Sequence, residues 1–118
     1  MIKEFVPYKI ALALKELGFD EPCLTSYNEN GKIFKVWENE IVMGITKCSA
    51  PLYQQAFRWF REKYNLLGIV GYCDDNSGKF MSVIDKINED IDYDMNAKNT
   101  YEEAELACLI KLIEIAKK

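Results

Sequence analysis

The sequence predicts an α+β protein whose elements follow the order α-β-β-α-β-β-α. Turn-forming clusters at residues 28–31 and 74–78 each separate two short runs of strand-forming residues, which is typical of two β-hairpins. Three other segments repeat apolar residues at helical spacing. The length of 118 residues suits a single domain over residues 1–118. The hairpins should form one antiparallel sheet of about four strands, with three helices mainly on one face.

The first helix is predicted for residues 7–17. Pro7 suits the first helical position because its missing N–H is not needed there. Gly18 follows at the end of the helix, where a left-handed cap favours glycine, and Phe19 stands where a Schellman cap makes its hydrophobic contact. The stripe expected to face the core consists of Val6, Ile10, Leu14 and Leu17.

The first hairpin is predicted to pair residues 23–27 with residues 32–37. Asn30 and Gly31 lie between them, and both tolerate the positive φ angles of a tight turn. Residues 41–46 are apolar without a clean period. They extend the second strand, form a short edge strand or cross as a loop, and the sequence leaves these alternatives open.

The second helix is predicted for residues 51–64, with Ser49 as its cap and Pro51 in its first turn. Its spacing gives one broad apolar face, made of Tyr53, Ala56, Phe57, Trp59, Phe60 and Tyr64. The opposite face is polar and carries Gln54, Arg58, Arg61 and Glu62.

The second hairpin is predicted to pair residues 66–73 with residues 80–87 across the turn at 74–78. Gly68 and Gly71 lie inside its first strand. They do not lead into a helix as a phosphate-binding loop would, so they indicate a bulge or a close approach of helix to sheet. Residues 88–99 are interpreted as an acidic, irregular connection.

Thr100 and Glu103 form the capping-box pattern that begins the third helix. This helix is apolar over most of its circumference, so it must be covered on more than one side. The sheet and the first helix would cover it, or a second copy would do so in a symmetric dimer. The candidate interface residues of that dimer are Leu106, Leu109, Ile110 and Ile113.

Composition excludes several classes of function. The net charge of −4 disfavours general nucleic-acid binding, which needs a basic surface. The absence of histidine excludes Ser-His-Asp and Cys-His catalysis and any zinc site that needs imidazole. The four cysteines contain no C-x-x-C pair, which favours free thiols, expected to be buried at Cys73 and Cys108, over a zinc site. The chain has no signal peptide or membrane-spanning run, so we expect a cytoplasmic protein with reduced cysteines.

One anion-binding surface is predicted on the second helix. Arg58 and Arg61 are three residues apart and therefore neighbours, with Gln54 one turn earlier. Guanidinium pairs suit phosphate or carboxylate, and Tyr53 or Trp59 would supply a stacking wall for a base. The residues by themselves favour a solvated face with an Arg58–Glu62 ion pair over such a clamp.

A second candidate is the acidic series formed by Glu89, Asp90, Asp92 and Asp94. It alternates carboxylates that suit calcium, but it lacks the glycine and the bidentate glutamate of an EF-hand loop. A solvated connection is the favoured interpretation. Since the sequence places no carboxylate pair in a recognisable acid–base arrangement, we expect a protein that is not an enzyme and needs no metal or cofactor.

Three blocks of sequence resemble a family of small phage and prophage proteins of gut bacteria. They are FVPYKIALALKELGFDEPC at residues 5–23, APLYQQAFRWFREKY at 50–64 and YEEAELACLIKLIEI at 101–115. The resemblance implies an accessory protein in the cytoplasm of an infected bacterium, where such proteins often block host defence. We therefore expect it to act by binding a host defence protein or an anionic signal such as a cyclic nucleotide. The alternative is a structural or regulatory interaction module without a small ligand.

Overall fold

The computed structural model describes residues 4–33, 46–89 and 91–117. Within these ranges the chain has three helices and five strands, in the order α1 (Tyr8–Glu16), β1 (Thr25–Asn28), β2 (Thr46–Ala50), α2 (Tyr53–Tyr64), β3 (Leu66–Tyr72), β4 (Phe80–Lys86), β5 (Ile91–Asp94) and α3 (Tyr101–Ala116). The strands are antiparallel and form two sheets, β1-β2 and β3-β4-β5. The α+β class and the order of the predicted elements are confirmed, with one strand added before α3. The chain divides into two compact units, Met1–Leu52 and Tyr53–Lys118.

In the first unit, α1 ends as the sequence predicts. Gly18 has a φ angle of 101°, and its N–H donates to the carbonyl of Lys15 at 3.0 Å. The N–H of Phe19 donates to the carbonyl of Leu14, also at 3.0 Å. These two bonds are those of a Schellman motif, and Phe19 is buried beside it. Of the predicted stripe, Val6 and Leu14 are buried while Ile10 and Leu17 are half-buried.

The turn after β1 has three residues, 29–31. The N–H of Gly31 donates to the carbonyl of Asn28 at 3.0 Å, and the N–H of Asn28 donates to the carbonyl of Lys32 at 2.8 Å. Gly31 adopts a φ of 79°, whereas Asn30 is not among the residues with positive φ. The predicted turn is therefore present, but only its glycine uses the left-handed region.

β1 agrees with the predicted hairpin as far as the described residues go, and it has a second partner in β2. Apart from a bridge between Tyr27 and Ile33, β1 pairs with β2, which places Ser26 opposite Ser49. Ser49 is thus a strand residue and not a helix cap, and α2 begins at Tyr53 instead of at residue 51. Most of the predicted strand at 32–37 and of the apolar run at 41–46 lies outside the described residues.

In the second unit, the β3–β4 hairpin is confirmed in seven consecutive residue pairs from Leu66↔Lys86 to Tyr72↔Phe80. α2 and α3 pack on one face of this sheet. A Cβ at Gly68 would lie 3.1 Å from the sulfur of Cys108 on α3 and 3.5 Å from Phe57 on α2. Gly68 therefore marks a close approach of helix to sheet.

The predicted irregular connection at 88–99 is wrong in its first half. Ile91–Asp94 forms β5, which pairs with β4 from Lys86↔Ile91 to Val83↔Asp94. The segment I-D-Y-D alternates apolar and acidic residues, which is the period of a strand. Its high charge led instead to the prediction of a loop. β5 brings its two aspartates, Asp92 and Asp94, beside β4, where Asp92 lies opposite Asp85.

Candidate functional site

The polar face of α2 is exposed as predicted. Gln54, Arg58, Arg61 and Glu62 are all exposed on the helix. Gln54 and Arg58 lie one turn apart, and Arg58 and Arg61 are neighbours on this surface. The structure therefore places the two arginines where an anion from solvent reaches them, while a ligand-binding role for them stays a prediction.

The two aromatic candidates lie on the other side of α2. Tyr53 is 6% exposed and Trp59 is 5% exposed. The Trp59 ring packs edge-to-face on Phe60 at 5.1 Å, and the Lys63 ammonium lies 5.2 Å from its centre. These contacts occupy Trp59 within the packed side of the helix. The structure thus does not bring the predicted stacking wall to the arginine surface.

A second surface emerges from the register of the three-stranded sheet. Gly68 points toward α2 and α3, and side chains alternate along a strand, so Leu67, Ile69 and Gly71 point to the opposite face. Residues paired across antiparallel strands share a face. The open face of the sheet therefore consists of Leu67, Ile69, Gly71, Met81, Val83, Asp85, Asp92 and Asp94.

The apolar part of the open face is accessible to solvent. Ile69 is 46% exposed and Met81 is 40% exposed, which is high for large apolar side chains of a sheet. Leu67 and Val83 are half-buried. They lie between these two exposed residues and the aspartates of the same face. Contiguous apolar residues with a polar rim are typical of a surface that binds another molecule.

The acidic margin of the open face lies on β4 and β5. Asp85 and Asp92 stand directly opposite each other. The hydrogen bond that the protonated Asp92 carboxyl donates to the Asp85 carboxylate raises the pKa of Asp92, and the negative charge of Asp85 raises it further. Asp94 lies on the same face, opposite Val83. These aspartates give one side of the open face a concentrated negative charge.

Sequence reasoning missed this margin because it depends on β5. Asp85 and Asp92 are seven residues apart in the chain, and only the β4–β5 pairing makes them neighbours. The alternating pattern at 91–94 was the signal that could have revealed it. Within residues 4–33, 46–89 and 91–117, no group of three or more cysteine, aspartate or glutamate residues is arranged to hold a metal ion, and Asp90 lies outside these ranges.

The candidate dimer residues on α3 divide into two sets. Leu109 is completely buried and Ile113 is 5% exposed, so the chain itself covers both. Leu106 is half-buried and Ile110 is 39% exposed. The expectation that Leu109 and Ile113 are free for a second copy is corrected, because α3 packs against β3, β4 and α2. Leu106 and Ile110 remain accessible.

The thiols are free in the described part of the chain. Cys108 is buried as predicted, whereas Cys73 is half-buried. Burial raises the pKa of the Cys108 thiol to about 12. Since the thiolate is the reactive form, Cys108 is chemically inert near neutral pH.

Glu105 on α3 provides a prediction about the pH dependence of stability. Burial, and then the charge of Glu102, raises the pKa of Glu105 to about 6. The folded state therefore binds this proton more tightly than the unfolded state, and the stabilisation is present below about pH 4.3 and is lost as the pH rises to about 6. We expect Glu105→Gln to raise the free energy of unfolding at pH 7 by about 1 kcal/mol, a value reduced for partial exposure.

Urea unfolding of Glu105→Gln and the unmodified protein between pH 4 and pH 8 measures this effect. The difference between the two proteins should grow up to about pH 6 and then stay constant. A difference of the same size at pH 4 and pH 7 would show that the substitution acts through packing and not through the proton.

Comparisons with protein-family models, with curated proteins and with solved structures find no match to this chain. The resemblance to phage proteins therefore stays a prediction. Within the described residues, no helix is both long enough and apolar enough to span a bilayer.

Proposed function

We propose that this protein is a binding protein, not an enzyme, and that it docks a protein partner on the open face of the three-stranded sheet. The observation that carries the proposal is the exposure of Ile69 and Met81 on a face whose other side is covered by helices. Apolar side chains of a partner would cover these residues and remove them from water.

The negative charge of the acidic margin favours a partner with a positively charged binding surface. Asp85, Asp92 and Asp94 lie along one side of the apolar residues and give that side a negative potential. Complementary charge steers association and fixes register at an interface. The partner therefore presents lysine or arginine side chains next to apolar ones.

The resemblance supplies the biological setting of this proposal. In the cytoplasm of an infected bacterium, the partner would be a host defence protein that the phage protein blocks by occupying its surface. The alternative function, a regulatory interaction module without a small ligand, would use the same face. The cyclic-nucleotide interpretation is less favoured, because Tyr53 and Trp59 are buried on the side of α2 away from Arg58 and Arg61.

Affinity capture from bacterial lysate with matched variants tests the proposal. One variant carries Ile69→Thr and Met81→Gln, which keep residues compatible with a strand surface. A second carries Asp85→Asn, Asp92→Asn and Asp94→Asn, which remove charge without changing shape. We expect each variant to lower the affinity for the captured partner at least about tenfold. Capture should also weaken as salt rises, because the charges at this margin are exposed.

The control variant carries Arg58→Ala and Arg61→Ala on the exposed face of α2. It should keep both the partner and the stability of the unmodified protein. Loss of binding in this variant alone, with full binding in both variants of the open face, would overturn the proposal in favour of the arginine surface. A captured partner without a basic binding surface would contradict the charge argument.

A further inference from the structure

The first unit contains a cavity that the proposed function does not use. It has a volume of about 280 Å³, close to the lower limit of pockets that hold small molecules. Its lining comes from α1, from β2 and from Phe19, which follows α1. These residues are Ala11, Lys15, Phe19, Thr46, Lys47, Cys48 and Ser49.

The cavity has an apolar part and a polar part. Ala11, Phe19 and Cys48 are buried and form an apolar wall. Thr46 and Ser49 add two hydroxyl groups. The lining is therefore amphipathic, which suits a ligand with one apolar end and one polar end.

The charged groups of the lining are both cationic. The Lys15 ammonium donates to the backbone carbonyl of Lys47 at 2.8 Å, which holds Lys15 beside the strand. Burial raises the pKa of the Cys48 thiol, and the charges of Lys15 and Lys47 oppose that rise. Both ammonium groups therefore act on the space around Cys48. No carboxylate is among the lining residues, and neither lysine forms an ion pair within the described part of the chain.

We propose that this cavity binds a small organic anion, whose carboxylate or phosphate group lies between Lys15 and Lys47 and whose short apolar part packs on Phe19 and Ala11. An anion there would replace water around two cations that no carboxylate of the described residues neutralises. The hydroxyl groups of Thr46 and Ser49 would complete the hydrogen bonds of the anion. This site is independent of the open face of the sheet in the second unit.

Titration of the ¹⁵N-labelled protein with sodium phosphate and with sodium butyrate, at constant ionic strength, tests the proposal. We expect saturable shifts at the amides of residues 46–49 and of Ala11 from at least one of the two probes. Saturation by butyrate identifies a carboxylate with an alkyl chain, and saturation by phosphate identifies a phosphate group. Butyramide, which has the same shape without the charge, should give no saturable shift.

Two double variants, each of which loses two positive charges, distinguish binding at a specific site from a general effect of ions on the protein. Lys15→Gln with Lys47→Gln removes the cations of the cavity, and we expect it to weaken binding at least about tenfold. Lys9→Gln with Lys79→Gln removes two exposed cations elsewhere and should leave binding unchanged. Shifts that do not saturate with either probe, or that fall equally in both variants, would overturn the proposal.

Discussion

Ile113→Asp is expected to unfold the second unit of the protein. Ile113 is 5% exposed on the side of α3 that packs in the core, so the substitution removes apolar contacts and buries a carboxylate without a cation. The two effects together should cost about 5 kcal/mol, comparable with the total stability of a domain of this size. Circular dichroism and urea unfolding should show loss of cooperative folding, and not a folded monomer.

Ile110→Asp is the matched control on the same helix. Ile110 is 39% exposed, so the new carboxylate remains hydrated and the free energy of unfolding should change by less than about 1 kcal/mol. If the protein is a dimer through α3, sedimentation should show that this variant separates it. A folded Ile113→Asp protein with an unchanged unfolding midpoint would contradict the packing of α3.

The predictions that succeeded depend on local signals. The Schellman motif at Gly18 and the cap at Thr100 each require only a few neighbouring residues, and the structure has both. The β3–β4 hairpin follows from two strand-forming runs around the turn at 74–78. Local chemistry thus determined where these elements begin and end.

The predictions that failed depend on pairing between distant segments. Thr46–Ala50 is a short strand whose alternation is weak, and it becomes a strand because it pairs with β1, some 20 residues earlier in the chain. β5 is highly charged and forms a strand because it pairs with the edge of β4. Pairing of this kind is a tertiary effect that strand propensity does not predict.

The surface proposed for binding could not be predicted for the same reason. Ile69 and Met81 read as ordinary apolar residues of a hairpin, and only the packing of α2 and α3 on the opposite face leaves them exposed. The apolar circumference of α3 has a related cause. The sheet and α2 both cover α3, so most of its apolar residues are explained without a second copy.

Phe60→Ala is expected to lower the free energy of unfolding by about 3–5 kcal/mol, because it leaves a large cavity in the core. Phe60 is completely buried, and its ring lies 5.1 Å from the ring of Trp59 and 5.7 Å from that of Tyr64. Urea unfolding followed by circular dichroism measures the loss of stability. The fluorescence of Trp59 should also move toward that of a hydrated indole, because the substitution opens space beside its ring.

Phe57→Ala is the control for the direction in which α2 faces the core. Phe57 is half-buried three residues before Phe60, so its truncation removes less buried area and should cost less than half as much. Equal losses in the two variants would show that Phe57 is as deeply packed as Phe60 and that α2 is rotated from the orientation described. That rotation would carry Arg58 and Arg61 around with it, so the same pair of measurements tests whether the arginines face solvent.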